Sequence, residues 1–544
     1  MGPPGRGSPP FSGGVEPGQG STVPCWRRLL TFPHGGRCRL RADPYTTRRC
    51  GYCRMALLYD FGGFMSERTP DFDLAVIGSG GGAFAAAIRA TNLGKRVLMI
   101  ERSTVGGTCV NTGCVPSKAL LAAAEARHVA LDTSGRFPGI STSAGEVDMA
   151  GLIGGKRSLV ETMRSDKYVD LIADYGWELR QGNAVFAGPP DDPVLEITGK
   201  DGARESVRAA HYLVATGSAP WAPPIEGLQD ADYLTSTTAM ELEEVPDSLL
   251  VIGGGYVALE QAQLFARLGS RVTMLVRSRL ASAEEPEASR ALMSVFADEG
   301  IRVVRRATVS SVRTDPATGE IVATAAVSGG HEEFRADRLL VAMGRRPVTD
   351  GLNLDTVGVK TGDRGEILVQ DTLASTNPRI WAAGDVTGHR EFVYVAASHG
   401  SLVVENAFNS AGREVDYRHL PRVTFTSPAL AAVGMTDKEA NEAGIRCECR
   451  VLPLEYVPRA LVNRDTRGFI KIVADADTGR IVGITAVAKD AGDLAAAGVY
   501  ILEAGMTVAQ VANLWSPYLT MAEGIKIAAQ SFTTDVSKLS CCAS

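Results

Sequence analysis

The tightest constraint on this chain is a glycine-rich motif that occurs twice, each time in the same setting. Gly78-Ser79-Gly80-Gly81-Gly82-Ala83 follows the short apolar run Phe72 to Ile77, and Gly253-Gly254-Gly255-Tyr256-Val257-Ala258 follows Leu249 to Ile252. Both have the form G-x-G-x-x-A, with Gly78, Gly80 and Ala83 in the first copy and Gly253, Gly255 and Ala258 in the second. Each opens a stretch of helical pattern, to Leu93 and to Leu268, and a second apolar run follows, Lys95 to Ile100 and Arg271 to Val276. The glycines permit a tight turn and close backbone approach, and a pyrophosphate meets the positive helix N-terminus. One such turn is a weak signal; two, about 175 residues apart in strand–turn–helix context, predict two Rossmann-like dinucleotide-binding domains of α/β type.

The residues after each second strand differ. Glu101 stands about 20 residues beyond the first turn, where a carboxylate accepts from a ribose 2′-hydroxyl. The second unit has Val276-Arg277-Ser278-Arg279 at the same point and no acid. Arg277 and Arg279 there suit a 2′-phosphate, through charge-assisted bidentate bonds. The first site therefore fits the adenosine of FAD and the second fits NADPH.

Length and composition bound the rest. At roughly 150 residues per domain, 544 residues of which 45% are apolar suit three or four domains. No uninterrupted apolar run reaches the ~18 residues of a membrane span, and a net charge of −6 gives no reason to expect nucleic acid. The first 70 residues hold 12 Gly, 9 Pro and 10 Arg, no Lys and 4 acids. Too little apolar surface is available there to offset chain entropy, so 1–70 reads as disordered. An Arg-rich targeting peptide and an over-extended start, with Met55 or Met65 as the true beginning, both fit it. The expected order is then an FAD-binding domain over 71–220, an NADPH-binding domain over 221–345, the second part of the FAD domain over 346–418, and a C-terminal α+β domain over 419–544. The ten cysteines are too dilute for a disulfide scaffold. Cys50 and Cys53, as CGYC, have the spacing of a metal or redox pair, but without a second pair or a folded context chance explains them better; Cys447 and Cys449, on alternate residues of an expected strand, read as structural.

Gly106-Gly107-Thr108-Cys109-Val110-Asn111-Thr112-Gly113-Cys114-Val115-Pro116-Ser117-Lys118 places two cysteines five residues apart beside the first dinucleotide unit. This string closely resembles the redox-active disulfide of the pyridine nucleotide–disulfide oxidoreductases, and the resemblance runs from about Asp71 to the C-terminus. It implies that Cys114 is the thiolate facing the flavin and Cys109 the interchange thiol. Lys118 is implied to lie near flavin N5, paired with Glu260. An ammonium and a helix N-terminus both favour thiolate. Arg379-Ile380-Trp381-Ala382-Ala383-Gly384-Asp385 resembles the second flavin-contacting strand of that family, which implies that Asp385 binds the ribityl chain of FAD. Thr108 belongs to the same cofactor site, while Thr216 and Gly217, with Met343 to Pro347, resemble the crossings between the two domains. The C-terminal domain is implied to form a homodimer interface that completes the partner's active site. NADPH supply and reduced thiols point to cytoplasm.

Disulfide reductases of this family carry His-x-x-x-x-Glu near the C-terminus. Here Glu523 is present, but Tyr518 stands at the histidine position. An unperturbed tyrosine titrates near ~10 against ~6.5 for histidine, a gap of roughly 5 kcal/mol for a base at neutral pH. Thiol exchange on a small disulfide is disfavoured accordingly. Cys541 and Cys542, adjacent and nearly terminal, make a poor structural disulfide and suit a soft, thiophilic cation. Tyr518, this tail, Tyr456 to Ala460 and Asp465 to Lys471 resemble the branch of the family that reduces Hg(II). The implied metal ligands are Cys541 and Cys542 for capture of Hg(II) from its thiol complex, and Cys109 and Cys114 for its reduction. Tyr168 is the implied second tyrosine near the metal, though packing would explain it equally. No metal-binding GMTCxxC loop occurs in 1–70.

Overall fold

The structure, a computed structural model, describes residues 69–540. The expectations for the segment before residue 69, for Cys50 and Cys53, and for Cys541 and Cys542 lie outside those residues.

A seven-stranded sheet organises the first unit, in the order Ile380–Ala382, Ala209–Val214, Phe72–Ile77, Val97–Glu101, Glu178–Ala187, Val194–Gly199, Arg204–Val207. Its first five strands are parallel, and the last two turn back as antiparallel ribbons. Leu74, Ala75 and Val76 are fully buried, as expected for a parallel strand covered on both faces. The helix Gly81–Asn92 presents Ala83, Ala86, Ala87 and Ala90 to the core. It crosses the helix Val393–Asn409 so closely that a Cβ on Gly400 would sit 2.0 Å from the Gly82 carbonyl oxygen. Small residues on both helices set that distance.

The second unit repeats the pattern with five parallel strands, Arg302–Arg305, Arg271–Val276, Ser248–Ile252, Arg338–Val341 and Tyr233–Leu234. A three-stranded meander, Thr308–Thr314, Ile321–Val327 and Gly330–Ala336, covers it. The C-terminal unit is an antiparallel sheet ordered Arg422–Thr424, Ala429–Gly434, Ile481–Ala488, Phe469–Asp475, Cys447–Pro453, with helices including Ala491–Glu503 and Glu523–Gln530 packed against it.

These units share cores. Leu120 and Ala124 of the helix Cys114–Arg136 pack in one cluster with Leu259 and Ala262 of the helix Tyr256–Leu268 and with Leu430, Phe469 and Val487 of the C-terminal sheet. Buried charge reinforces the join. Lys471 Nζ lies 2.9 Å from Glu285, 2.8 Å from Asp437 and 3.4 Å from Glu287, and Arg267 pairs with Glu125 of the helix Cys114–Arg136 and donates to the Ser427 carbonyl at 3.0 Å. Among the described residues no helix is long and apolar enough to cross a membrane.

Candidate active site

Gly78 ends the first strand at φ 106°, and a Cβ there would lie 2.4 Å from the Ala215 carbonyl oxygen. Gly80 then N-caps the helix Gly81–Asn92, and no side chain caps its first turn, which leaves amide donors and the positive end of the helix dipole for an anion. Gly107 approaches so closely that its Cβ would meet Gly80 Cα at 2.5 Å. Glu101 is buried behind this turn and accepts from Ser79 Oγ at 2.6 Å and from the Ser103 amide at 2.7 Å. One cavity joins Gly78, Glu101, Thr108 and Thr216; a second, adjoining at Gly80, Thr108 and Gly217, continues to Cys109, Cys114, Lys118 and Asp385. An elongated dinucleotide such as FAD fits this continuous cleft and its donor set. Thr216 Oγ1 donates to the Val348 carbonyl at 2.6 Å, and Gly217, at φ 69°, accepts from the Val348 amide at 3.0 Å. Asp385 accepts from Ser218 Oγ at 2.7 Å, and Arg345 Nε donates to the same hydroxyl at 2.7 Å.

The thiol pair is presented by helix starts rather than by a bare turn. Cys109 lies in the short helix Gly107–Asn111, and Cys114 is the first residue of the 23-residue helix Cys114–Arg136. Pro116 sits in its first turn, where no helical hydrogen bond is lost. Both cysteines are free thiols, Cys114 the more exposed. The hydrogen bond from Cys109 is the main cause that holds Cys114 down to about 7, against burial and with help from the Lys118 charge. That same bond, followed by burial, pushes Cys109 far above the ordinary thiol range. Of the pair, Cys114 therefore ionises first and Cys109 keeps its proton. Lys118 Nζ lies 2.8 Å from Glu260 Oε2 and 4.5 Å from the centre of the Phe425 ring. Glu260, buried on the helix Tyr256–Leu268, also accepts from the Phe425 amide at 2.9 Å. One ion pair therefore links the thiol helix, the second unit and the C-terminal sheet.

Tyr168 falls in a π-helical turn, Ser165–Val169, with its ring edge-on to Phe84 at 4.9 Å. Burial, then the charges of Cys109 and Cys114, raise its hydroxyl, so it stands by the pair as a protonated donor and also packs. The second glycine turn has room of its own: nothing lies within 4 Å of a Cβ on Gly255, while one on Gly253 would meet the Ala342 carbonyl oxygen at 2.3 Å and Ala258 is fully buried. Arg277 is exposed beside it. Arg279, the second arginine expected to face a phosphate, is held by its own loop. The loop folds back, with the Ala281 amide on the Gly254 carbonyl at 2.8 Å, and Arg279 Nη2 donates to the carbonyls of Ser282 and Glu284 at 2.9 and 2.6 Å. Its Nη1 is buried without a hydrogen-bond partner. The turn still fits a pyridine dinucleotide, with Arg277 as the arginine available to a 2′-phosphate.

Tyr518 and Glu523 do not line the thiol cavity within one chain. Tyr518 is half exposed, and Glu523 is buried and accepts from the Leu519 amide at 3.1 Å. Three residues at the site were given no role of their own from the sequence. Tyr256, directly after the second glycine turn, lines the thiol cavity, and burial pushes its hydroxyl up to about 12. Arg345 orients Ser218 toward Asp385. His399 Nδ1 accepts from the Gly384 amide at 3.1 Å, its Nε2 meets Tyr417 Oη at 2.6 Å, and Tyr417 Oη meets His389 Nδ1 at 2.8 Å. Burial lowers His399 to about 4, so a neutral ring supports the Asp385 turn. Tyr256 lies inside the second glycine motif and Arg345 inside the Met343–Pro347 crossing, so both had a signal; His399 had none.

Fold and site together define an oxidoreductase that couples two dinucleotide sites to a dithiol. Residues 72–400 match the family model described as pyridine nucleotide-disulphide oxidoreductase, and 420–529 match the dimerisation domain of that family. The chain is similar to the mercuric reductase of Streptomyces lividans, with 59% identity over 88% of this chain and 100% of that protein. It is also similar to those of Bacillus cereus (47%, over 88% and 74%) and Staphylococcus aureus (45%, over 88% and 85%). Among solved structures, the Cu(II) complex of the HOCl-induced flavoprotein disulfide reductase RclA of Escherichia coli superposes with a TM-score of 0.75 at 26% identity, over 86% of this chain and 100% of that one. LpdA of Mycobacterium tuberculosis gives 0.76 at 25%, over 85% and 100%. The chain belongs to the pyridine nucleotide-disulphide oxidoreductase family, and its place there is among the mercuric reductases.

Proposed function

We infer that the protein is an FAD-dependent enzyme that reduces Hg(II) to Hg(0), with NADPH oxidised to NADP⁺. The observation that carries this is the Cys109–Cys114 pair, two free thiols that line one dinucleotide-sized cleft together with Lys118.

Gly78, Gly80, Glu101, Thr108, Lys118, Thr216, Gly217 and Asp385 would hold FAD, and Gly253, Gly255 and Arg277 would hold NADPH. FAD, when bound, supplies the two-electron link between NADPH and the thiol site. The chain's own residues prepare the metal. Cys114 is the ready thiolate ligand; Cys109 yields its proton when it becomes the second ligand, and the two ligands of the incoming complex depart, one as the thiol that takes that proton and one as thiolate. Two sulfurs impose the low coordination that a soft, rapidly exchanging cation accepts. Tyr168, protonated, and Tyr518 stand as hydroxyl donors for that inner site.

The delivery route follows from the tail. Cys541 and Cys542 capture Hg(II) and hand it to Cys109 and Cys114 across the two-fold axis of a homodimer, where Tyr518 and Glu523 complete the site. A dimerisation domain, and the position of Tyr518 outside its own chain's thiol cavity, support this arrangement. The need for reduced thiols and NADPH supports a cytoplasmic location. The test is NADPH oxidation with and without Hg(II) under excess thiol. Oxidation that requires Hg(II) and vanishes in Cys114→Ala is expected; none, or full activity in that variant, overturns the reading.

A further inference from the structure

A second pair of thiols lies away from the redox site. Cys447 and Cys449 are two residues apart on the strand Cys447–Pro453, an edge of the C-terminal sheet, and alternate residues of a strand face one side. Their sulfurs are 3.7 Å apart, with Cys449 donating to Cys447 and Cys447 to the Asp437 carbonyl at 3.8 Å. Both are partly exposed free thiols. Burial, then the neighbouring thiol, push Cys449 up to about 12. It is therefore a protonated reserve at neutral pH, unlike Cys114.

The surroundings select what such a pair can bind. Among the described residues no group of three or more His, Cys, Asp or Glu is arranged to hold a metal ion. Zinc, which takes four ligands in structural sites, and hard cations, which take six or more oxygens, find no site here. Two sulfurs alone suit a soft cation of low coordination. The charge of Lys471 acts on Cys449 in the direction that favours thiolate, while Asp437 opposes it. Lys471 is itself neutralised by Glu285, Glu287 and Asp437, so the pair carries no strong local field against a cation.

We propose that Cys447 and Cys449 form a second, non-redox docking site for a two-coordinate thiophilic cation, with Hg(II) as the probe that reveals it. Delivered as a bis-thiolate complex, Hg(II) exchanges ligands there: two mercury–sulfur bonds break, two form, and the protons of Cys447 and Cys449 leave on the displaced thiolates. No electrons move. The site requires neither flavin nor turnover, so it stands or falls separately from the reduction proposed above.

The test reads binding in the full-length holoenzyme. Chains carrying C109A/C114A/C541A/C542A, with and without C447S/C449S, are equilibrated with the glutathione complex of Hg(II), desalted, and assayed for metal per chain. The added double substitution is expected to remove one equivalent, and C447S or C449S alone to remove the same equivalent, because chelation needs both sulfurs. Zinc retention is unchanged. Equal mercury with and without the pair, or singles that keep the equivalent, overturns the proposal. A measurement on the unsubstituted protein guards against misfolded variants: under Hg(II), Cys447 and Cys449 are protected together from alkylation, read by peptide mass. Alkylation of either at its metal-free rate also overturns it.

Discussion

At the scale of single residues the decisive quantity is where one proton sits. Cys114 carries the thiolate because Cys109 donates to it, the largest effect, and with the smaller help of the Lys118 charge this outweighs burial. Since its pKa is held down to about 7, thiolate predominates above that pH and is lost as pH falls through it. Alkylation attacks thiolate, so the rate at Cys114 in the reduced enzyme should rise with pH to a plateau, with a midpoint near 7. Cys109→Ala removes the larger cause and should move that midpoint up most; Lys118→Gln should move it up less. A midpoint unmoved in Cys109→Ala would show that the hydrogen bond is not what sets the charge. The two cysteines and their spacing were plain in the sequence. Their division into donor and thiolate was implied only by family resemblance, because it depends on Cys114 opening a long helix and Lys118 following one turn later. Tyr168 was harder to read: a lone tyrosine in a π-turn carries no periodic signal, and only the fold brings it near the pair.

At the scale of elements, the parallel strands and the helices that follow the glycine turns were legible, since their continuous apolar runs and G-x-G-x-x-A spacing are local properties. What was not legible is how elements are clamped to one another. Arg279 is one example: its position after a second strand suggests a phosphate ligand, and the contacts of its Nη2 with the carbonyls of Ser282 and Glu284 come from the loop's own fold. Lys471 is the clearer case. In sequence it is one lysine in an alternating strand; in the fold it is 1% exposed among three carboxylates, tying the strand Phe469–Asp475 to the start of the helix Pro286–Asp298. Burial pushes Glu285 up, and its hydrogen bond with Lys471 opposes that. Removing one partner of a buried ion pair strands the others and costs about 3–5 kcal/mol, whereas replacing the whole set by apolar groups is often neutral. Lys471→Met should therefore lower the denaturant midpoint by a free energy of that size. A further change of Glu285 and Asp437 to uncharged residues should recover much of it. Equal stability of Lys471→Met and the parent would mean that water, not Lys471, compensates the acids.

At the scale of the whole molecule the question is which tail serves which thiol pair. Within one chain, Tyr518 and Glu523 lie off the cavity that holds Cys109 and Cys114, and residues 420–529 match a dimerisation domain. A relay across the two-fold axis makes a specific demand on mixed dimers. One subunit carries Cys114→Ala with an intact tail; the other carries C541A/C542A with an intact thiol pair. In the hybrid, delivery in trans leaves one complete path, from the intact tail of the first subunit to the intact pair of the second. Delivery in cis leaves none, because each chain lacks one end of its own path. Random pairing makes hybrids of half the dimers, so the co-expressed mixture should reach about a quarter of the unsubstituted turnover when each hybrid holds one working site. The measurement is Hg(II)-dependent NADPH oxidation under excess glutathione, compared with the two homodimers mixed after folding, which cannot exchange ends. Turnover no higher than that control would place the relay within a single chain and remove the need for a dimer in the chemistry.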